Sequence, residues 1–212
     1  MKIPCLICTI ALATVSSLRA QEDASSYIEL SEVDEIALAR SAAPATVSAD
    51  ATIWVIRDGK FQVAVHGTSG SHCFVQRSHP LSLEPICYDL EGSATIMRWE
   101  FEHFRARTGG ASREGVEEAL ARAVGRGEVR IPARPAVSYM MSSEQQLYDP
   151  ESGRSAGNWK PHLMIYMPYI TPETVGLGAN TPGLIVAEAG TPIAHLIIVV
   201  PEFTDPNQQS LP

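Results

Sequence analysis

Alternating apolar and polar positions predict a β-hairpin at residues 52–66. The pair Asp58-Gly59 divides the alternation, and both residues tolerate the positive φ that a two-residue hairpin turn requires. This turn places Trp54 opposite Val63, so one face of the hairpin carries an apolar layer.

Five further stretches have the length and composition of strands, with prolines mostly at their ends. They are residues 72–77, 137–142, 162–168, 184–187 and 195–200. Residues 78–92, by contrast, contain two prolines and many polar residues. We therefore predict an irregular loop for residues 78–92.

Apolar residues recur at helical spacing in three segments. Ser31 caps the first helix, which ends before Pro44. Ser93 caps the second, and Ser112 caps the third. The apolar stripe of the third helix consists of Val116, Ala119, Leu120, Ala123 and Val124. We predict an α+β fold of two layers, in which a mainly antiparallel sheet carries the second and third helices as a pair on one face.

The first twenty residues have the pattern of a secretory signal peptide. Lys2 precedes an apolar run, and small residues stand near a cleavage point after Ala20. We therefore expect an exported protein, periplasmic or secreted, with a signal peptide at residues 1–20. A single α+β domain then spans residues 21–203, followed by a disordered tail at 204–212.

The charge of the chain bears on its partners. The formal net charge is −8, and removal of residues 1–20 leaves 14 basic against 24 acidic residues, or −10. An acidic chain without a basic run does not suit the phosphate backbone of nucleic acid or an anionic membrane surface. We expect neither partner after the signal peptide is removed.

Two cysteines, Cys73 and Cys87, remain after residue 20. An oxidising compartment favours a disulfide between them. The alternative is a pair of separate buried thiols.

The best candidate for a site is the polar loop that leads into the strand at residues 162–168. His162, Met164 and Tyr166 alternate along that strand and therefore share a face. Trp159 precedes it, where an indole ring suits the rim of a ligand site, although it also suits a cover over the edge of the core. Tyr139 lies on the strand that we expect beside it. We predict ligand binding at these five residues.

Metal binding is an alternative for the same strand. His162 and Met164, with Met140 or Met141 opposite, are side chains that bind copper. Methionines also fill cores, and the paired-histidine spacing of a metal motif is missing. We predict no metal and no cofactor.

A second pair of candidate residues lies on the second helix. Glu100 and His103 form a Glu-x-x-His motif, and two such motifs build a di-iron site. Only one occurs here. We therefore interpret it as an ion pair that faces solvent.

Residues 138–142 and 157–164 resemble a group of small exported bacterial proteins that have no established activity. The resemblance also includes the helix at residues 36–44 and the turn at residues 67–70 before Cys73. It implies export and a single domain, and it assigns a role to no residue.

The leading hypothesis is a non-enzymatic domain that binds a small molecule or a protein near Trp159 and His162. One alternative is a histidine-dependent or metal-assisted hydrolase that uses His162 with His66 or His195. Such an enzyme needs a pocket that brings His162 within hydrogen-bond reach of another ionisable group. A copper- or zinc-binding protein is the other alternative.

Overall fold

A computed structural model describes residues 27–149, 152–178 and 181–204. The predicted signal peptide at residues 1–20 and residues 205–212 of the predicted tail lie outside the described residues. Thr204, the first residue of that predicted tail, is described. Its amide donates to the Met141 carbonyl at 2.7 Å, and its carbonyl accepts from the Ser143 amide at 3.1 Å.

The main element is an eight-stranded sheet with the order β2-β1-β3-β4-β5-β8-β10-β9. Every neighbouring pair is antiparallel except β1 and β3, which are parallel. The strands are β1 (Thr52–Arg57), β2 (Lys60–Val65), β3 (His72–Gln76), β4 (Glu84–Tyr88), β5 (Ala136–Met140), β6 (Leu147–Tyr148), β7 (Ser155–Gly157), β8 (His162–Tyr166), β9 (Leu184–Ala187) and β10 (His195–Val199). Strands β6 and β7 form a separate two-stranded sheet.

Five helices lie in the described part of the chain. They are α1 (Glu32–Arg40), α2 (Ala45–Ser48), α3 (Leu90–Ala94), α4 (Ile96–Thr108) and α5 (Arg113–Gly125). Among the described residues, no helix combines the length and the apolar character needed to cross a membrane. The α+β class and the mainly antiparallel sheet are thus confirmed.

The helices divide between the two faces of the sheet. Leu38 and Ala39 of α1 pack with Cys73 and Val75 of β3. Ile96 and Met97 of α4 pack with Phe74, the β3 residue between those two, which points to the opposite face. Helix α5 packs on α4, through residues such as Leu120. The predicted two-layer arrangement, with a helix pair on one face, is not confirmed.

Turn and cap chemistry predicted several elements correctly. Asp58 and Gly59 have φ values of 51° and 67°, and Trp54 pairs with Val63. Ser31 and Ser112 accept hydrogen bonds from Asp34 N and Gly115 N at the starts of α1 and α5.

Two predictions for residues 78–94 are wrong. The stretch assigned to a loop contains β4, whose five residues are all buried. Pro85 lies in β4 beyond the part that pairs with β5, so its missing N–H interrupts no bond of that pair. Ser93 does not start the helix either, because Asp89 caps α3 and Thr95 (φ −128°) separates α3 from α4.

Cys73 and Cys87 are confirmed as a pair at disulfide distance, with sulfur atoms 2.00 Å apart. They face each other on β3 and β4. A buried ion pair lies on the same side of the sheet. Arg77 follows β3, and its Nη2 atom donates to Oε1 of Glu35 on α1 at 3.2 Å; both side chains are fully buried. The pair fixes α1 to the end of the sheet.

Candidate functional site

The predicted neighbourhood of His162 and Trp159 exists, but His162 is not open to solvent. The His162 ring is 5% exposed, and its Nδ1 atom lies 2.7 Å from the Lys160 carbonyl oxygen. Burial lowers the pKa of His162, which favours the neutral imidazole. Trp159 is 55% exposed and meets the His162 ring edge to face, with centroids 6.2 Å apart. Of these two residues, Trp159 is therefore the one available to a ligand.

Three of the five predicted site residues share a face, and Tyr139 does not. His162, Met164 and Tyr166 are buried on the α4 side of the sheet. Tyr139 pairs with Leu163, so it points to the opposite face and packs near Cys87. The five residues therefore do not converge on one pocket.

The histidine pairs that a hydrolase would need are not brought together. His66 follows β2 at one edge of the sheet, five strands from β8, which corresponds to about 24 Å. His195 pairs with Tyr166, whereas His162 pairs with Val199 four residues further along β10, a backbone spacing of about 13 Å. The two rings interact only electrostatically, and His195 adds to the effect of burial in lowering the pKa of His162. Neither histidine lies within hydrogen-bond reach of His162.

A cluster of hydroxyl groups lies beneath the predicted site. The hydroxyls of Tyr88 and Ser138 are buried near that of Tyr166 without a hydrogen-bond partner among the described residues, and the Tyr166 hydroxyl lies 3.7 Å from the Met164 sulfur. Burial raises the pKa of both tyrosines, so they are neutral at physiological pH. The His195 ring packs on Tyr166 at 4.8 Å between centroids. Met164 thus has a packing role next to a buried cluster of hydroxyl groups.

The opposite face of the same strands is apolar and only partly covered. Cross-strand pairing aligns two rows of side chains that run over β5, β8, β10 and β9. One row is Val137, Ile165, Leu196 and Val186, and the other is Tyr139, Leu163, Ile198 and Leu184. We call these eight residues the open sheet face. Every one of them keeps partial exposure to solvent.

The Glu-x-x-His motif does not form the solvent-facing ion pair that we predicted. Glu100 and His103 line a cavity of about 50 Å³ between α4 and the sheet, with Arg107 and Ser78. Gln76 donates to Glu100 through its amide nitrogen at 2.9 Å. Burial of the carboxyl group and the nearby Glu84 carboxylate together raise the pKa of Glu100 to about 7, against the opposing effect of Arg107. The cavity has room for one or two water molecules and not for a substrate.

No group of three or more histidine, cysteine, aspartate or glutamate side chains in the described residues is arranged to hold a metal ion. In the predicted copper set, Met140 pairs with His162 across β5 and β8. Met141 lies beyond the end of β5.

Comparisons with known proteins identify no related protein. No protein-family model matches the chain, and searches of curated proteins and of solved structures also find no match. Any functional inference therefore depends on the side chains and contacts of this structure alone.

Sequence reasoning missed the open sheet face, although its residues were assigned to strands. Strands β9 and β10 are apolar at nearly every position rather than at every second one. Strands of that kind bury both faces in most proteins. The structure leaves both faces of these two strands partly exposed.

Proposed function

We propose that the chain is an exported, non-enzymatic domain that binds an apolar ligand or protein segment on the open sheet face, with Trp159 at the adjoining strand end. The observation that carries this proposal is the contiguous set of eight apolar side chains with partial exposure. Contiguous apolar patches on monomeric proteins are commonly binding surfaces.

Trp159 is a second exposed group, just before the start of β8, and its ring packs against His162 on the other face of the sheet. The Gln145 side chain holds both backbone groups of Trp159, since it donates to the carbonyl at 3.0 Å and accepts from the amide at 3.3 Å. The backbone is thus fixed while the indole ring stays exposed. A large ring on a fixed backbone contributes contact area at a low entropic cost, which suits a binding surface.

The chemistry of the face indicates the class of ligand. Its only polar side-chain atom is the Tyr139 hydroxyl oxygen, so complementary contacts must be almost entirely apolar. A hydrocarbon chain or the apolar side of a peptide meets that requirement, whereas a sugar or a nucleotide would lose its hydration without compensation.

The fluorescent apolar probe anilinonaphthalene sulfonate tests the proposal. We expect saturable binding to the folded protein. The double variant Ile165→Thr/Leu196→Thr introduces threonine, a β-branched residue that suits strands, but makes the centre of the face polar. It should weaken probe binding about tenfold, the equivalent of 1.4 kcal/mol.

Val33→Thr is the matched control, because Val33 is an exposed apolar residue on α1, away from the face. That variant should bind the probe like the unchanged protein. Equal binding by the double variant, with an unchanged circular dichroism spectrum, would refute the proposal.

A further inference from the structure

Strand β9 forms one edge of the sheet, and its backbone has hydrogen-bonding groups directed outwards. The Val199 amide donates to the Gly183 carbonyl at 2.9 Å, which makes Gly183 and Val199 a hydrogen-bonded pair of the β9–β10 ladder. Bonded and non-bonded pairs alternate in antiparallel sheets. Ile185 therefore bonds to β10, while the Leu184 carbonyl and both backbone groups of Val186 point to an edge that no described strand covers; the Leu184 amide donates to the Thr181 carbonyl at 3.4 Å.

Apart from its short length of four residues, this edge lacks the features that protect edge strands from pairing. Residues Leu184–Ala187 include no charge and no proline, and the β9–β10 register is unbroken. Strand β2 at the other edge carries Lys60 and Gln62, and a register shift interrupts its pairing with β1. Charged residues and bulges protect edges because they hinder the addition of another strand. Only β2 has this protection.

We propose that β9 pairs antiparallel with β9 of a second copy of this chain, and so joins two sheets into one across a two-fold axis. The outward groups of Leu184 and Val186 define the register. Leu184 of each copy lies opposite Val186 of the other, so that the Val186 amide donates to the Leu184 carbonyl of the second copy, and Ile185 meets Ile185 of the second copy in a non-bonded pair. Side chains approach most closely in such pairs.

The side chains of the strand fit a second copy. Ile185 is 55% exposed, and in the dimer it packs against an identical apolar residue. The first charged residue after the strand, Glu188, falls opposite Pro182, so two acidic groups do not meet although the chain carries a net charge of −8. An antiparallel apolar strand is complementary to itself, and two-fold dimers are the commonest homo-oligomers.

The small size of this contact sets its strength. Four strand residues bury far less than the roughly 800 Å² per partner of a standard interface. The dimer should therefore dissociate on dilution, with a dissociation constant in the micromolar range or weaker. It leaves the open sheet face accessible and does not depend on the function proposed above.

Sedimentation velocity over a wide range of protein concentration tests the dimer. We expect a reversible monomer–dimer equilibrium. Val186→Pro removes an amide that points to the free edge and takes no part in the β10 ladder, so it should weaken dimerisation at least about tenfold. Val186→Thr, which keeps that amide, should dimerise like the unchanged protein. A protein that stays monomeric at every concentration, or dimers unaffected by Val186→Pro, would overturn the proposal.

Charge substitutions at Ile185 test the register. Ile185→Lys and Ile185→Glu each place like charges opposite each other on the two-fold axis, and each variant alone should be monomeric. An equimolar mixture should restore the dimer, because lysine then faces glutamate. If the mixture stays monomeric while the unchanged protein dimerises, the register is wrong and the contact lies elsewhere.

Discussion

The two ends of the sheet differ in how they are covered. Strands β1, β3 and β4 lie between α1 on one face and α4 on the other, and β4 is buried at every residue. In β9 and β10, every residue keeps partial exposure. The sequences of these strands do not show the difference, since both sets are rich in apolar residues. The positions of the packed helices determine which strands are covered.

The comparison separates residues that stabilise the fold from residues available for binding. The covered end contains the disulfide, the buried ion pair and the aromatic cluster in which Phe61 stacks on Phe101 at 4.3 Å between centroids. The uncovered end contributes an open face and a free edge. We therefore expect substitutions at the covered end to change stability and those at the uncovered end to change association.

The largest effect is expected from breaking the buried ion pair at the covered end. Arg77→Met removes one of the two cations that pair with the buried Glu35 carboxylate and leaves Arg57 Nη1 at 3.3 Å from Oε2, so we expect a loss of unfolding free energy at the low end for a broken buried pair, about 3 kcal/mol. Urea unfolding followed by circular dichroism measures the loss.

Two further variants sharpen the interpretation of that loss. Arg122→Met breaks an exposed pair with Glu118 on α5 and should cost less than about 1 kcal/mol. Glu35→Leu/Arg77→Met removes both charges and should recover much of the lost stability. If Arg77→Met is as mild as Arg122→Met, the ion pair does not hold α1 on the sheet.

A matched pair of isoleucines compares the two ends directly. Ile86 on β4 is 1% exposed, while Ile197 on β10 keeps partial exposure on the same face of the sheet. Ile86→Ala should cost about 2–5 kcal/mol, because it leaves a cavity under α4. Ile197→Ala should cost about 1 kcal/mol. Equal losses of unfolding free energy would show that the β10 end is as well packed as the β4 end.

Local chemistry made part of this fold predictable from the sequence. The turn at Asp58-Gly59 fixed the hairpin register, and the serine caps marked two helix starts. Period-two alternation correctly placed His162, Met164 and Tyr166 on one face. Each of these features depends on residues within a few positions of one another.

The features that sequence reasoning missed depend on distant residues. Glu35 and Arg77 are 42 positions apart, and neither residue type indicates burial. Glu100 accepts a hydrogen bond from Gln76 of β3, and Glu84 of β4 is the cross-strand partner of Gln76. The open sheet face results from the placement of α1, which reaches β1, β3 and β4. Periodicity identifies the residues that share a face, but it does not determine which face a helix covers.

The smallest expected effect concerns the pH dependence of the covered end. Because burial raises the pKa of Glu100 to about 7, the folded state binds its proton more tightly than the unfolded chain, in which the ordinary value is 4.5. The stabilisation from Glu100 is thus complete below pH 4.5 and is lost as the pH rises to about 7. The residue as a whole is partly exposed, so we expect a loss of about 1–2 kcal/mol.

Glu100→Gln isolates that contribution, because a glutamine cannot ionise and retains an oxygen that accepts from Gln76. The variant should be more stable than the unchanged protein at pH 8 and no more stable at pH 4. Two other groups around the cavity also titrate, because burial raises the pKa of Glu84 and lowers that of His103. Both groups are present in Glu100→Gln and in the unchanged protein, so their contributions largely cancel when the two stabilities are compared. Glu118→Gln on the exposed side of α5 is the control and should leave the pH profile unchanged. Thermal unfolding from pH 4 to pH 8 measures all three proteins, and parallel profiles for Glu100→Gln and the unchanged protein would mean that the Glu100 carboxyl group is hydrated in the folded state.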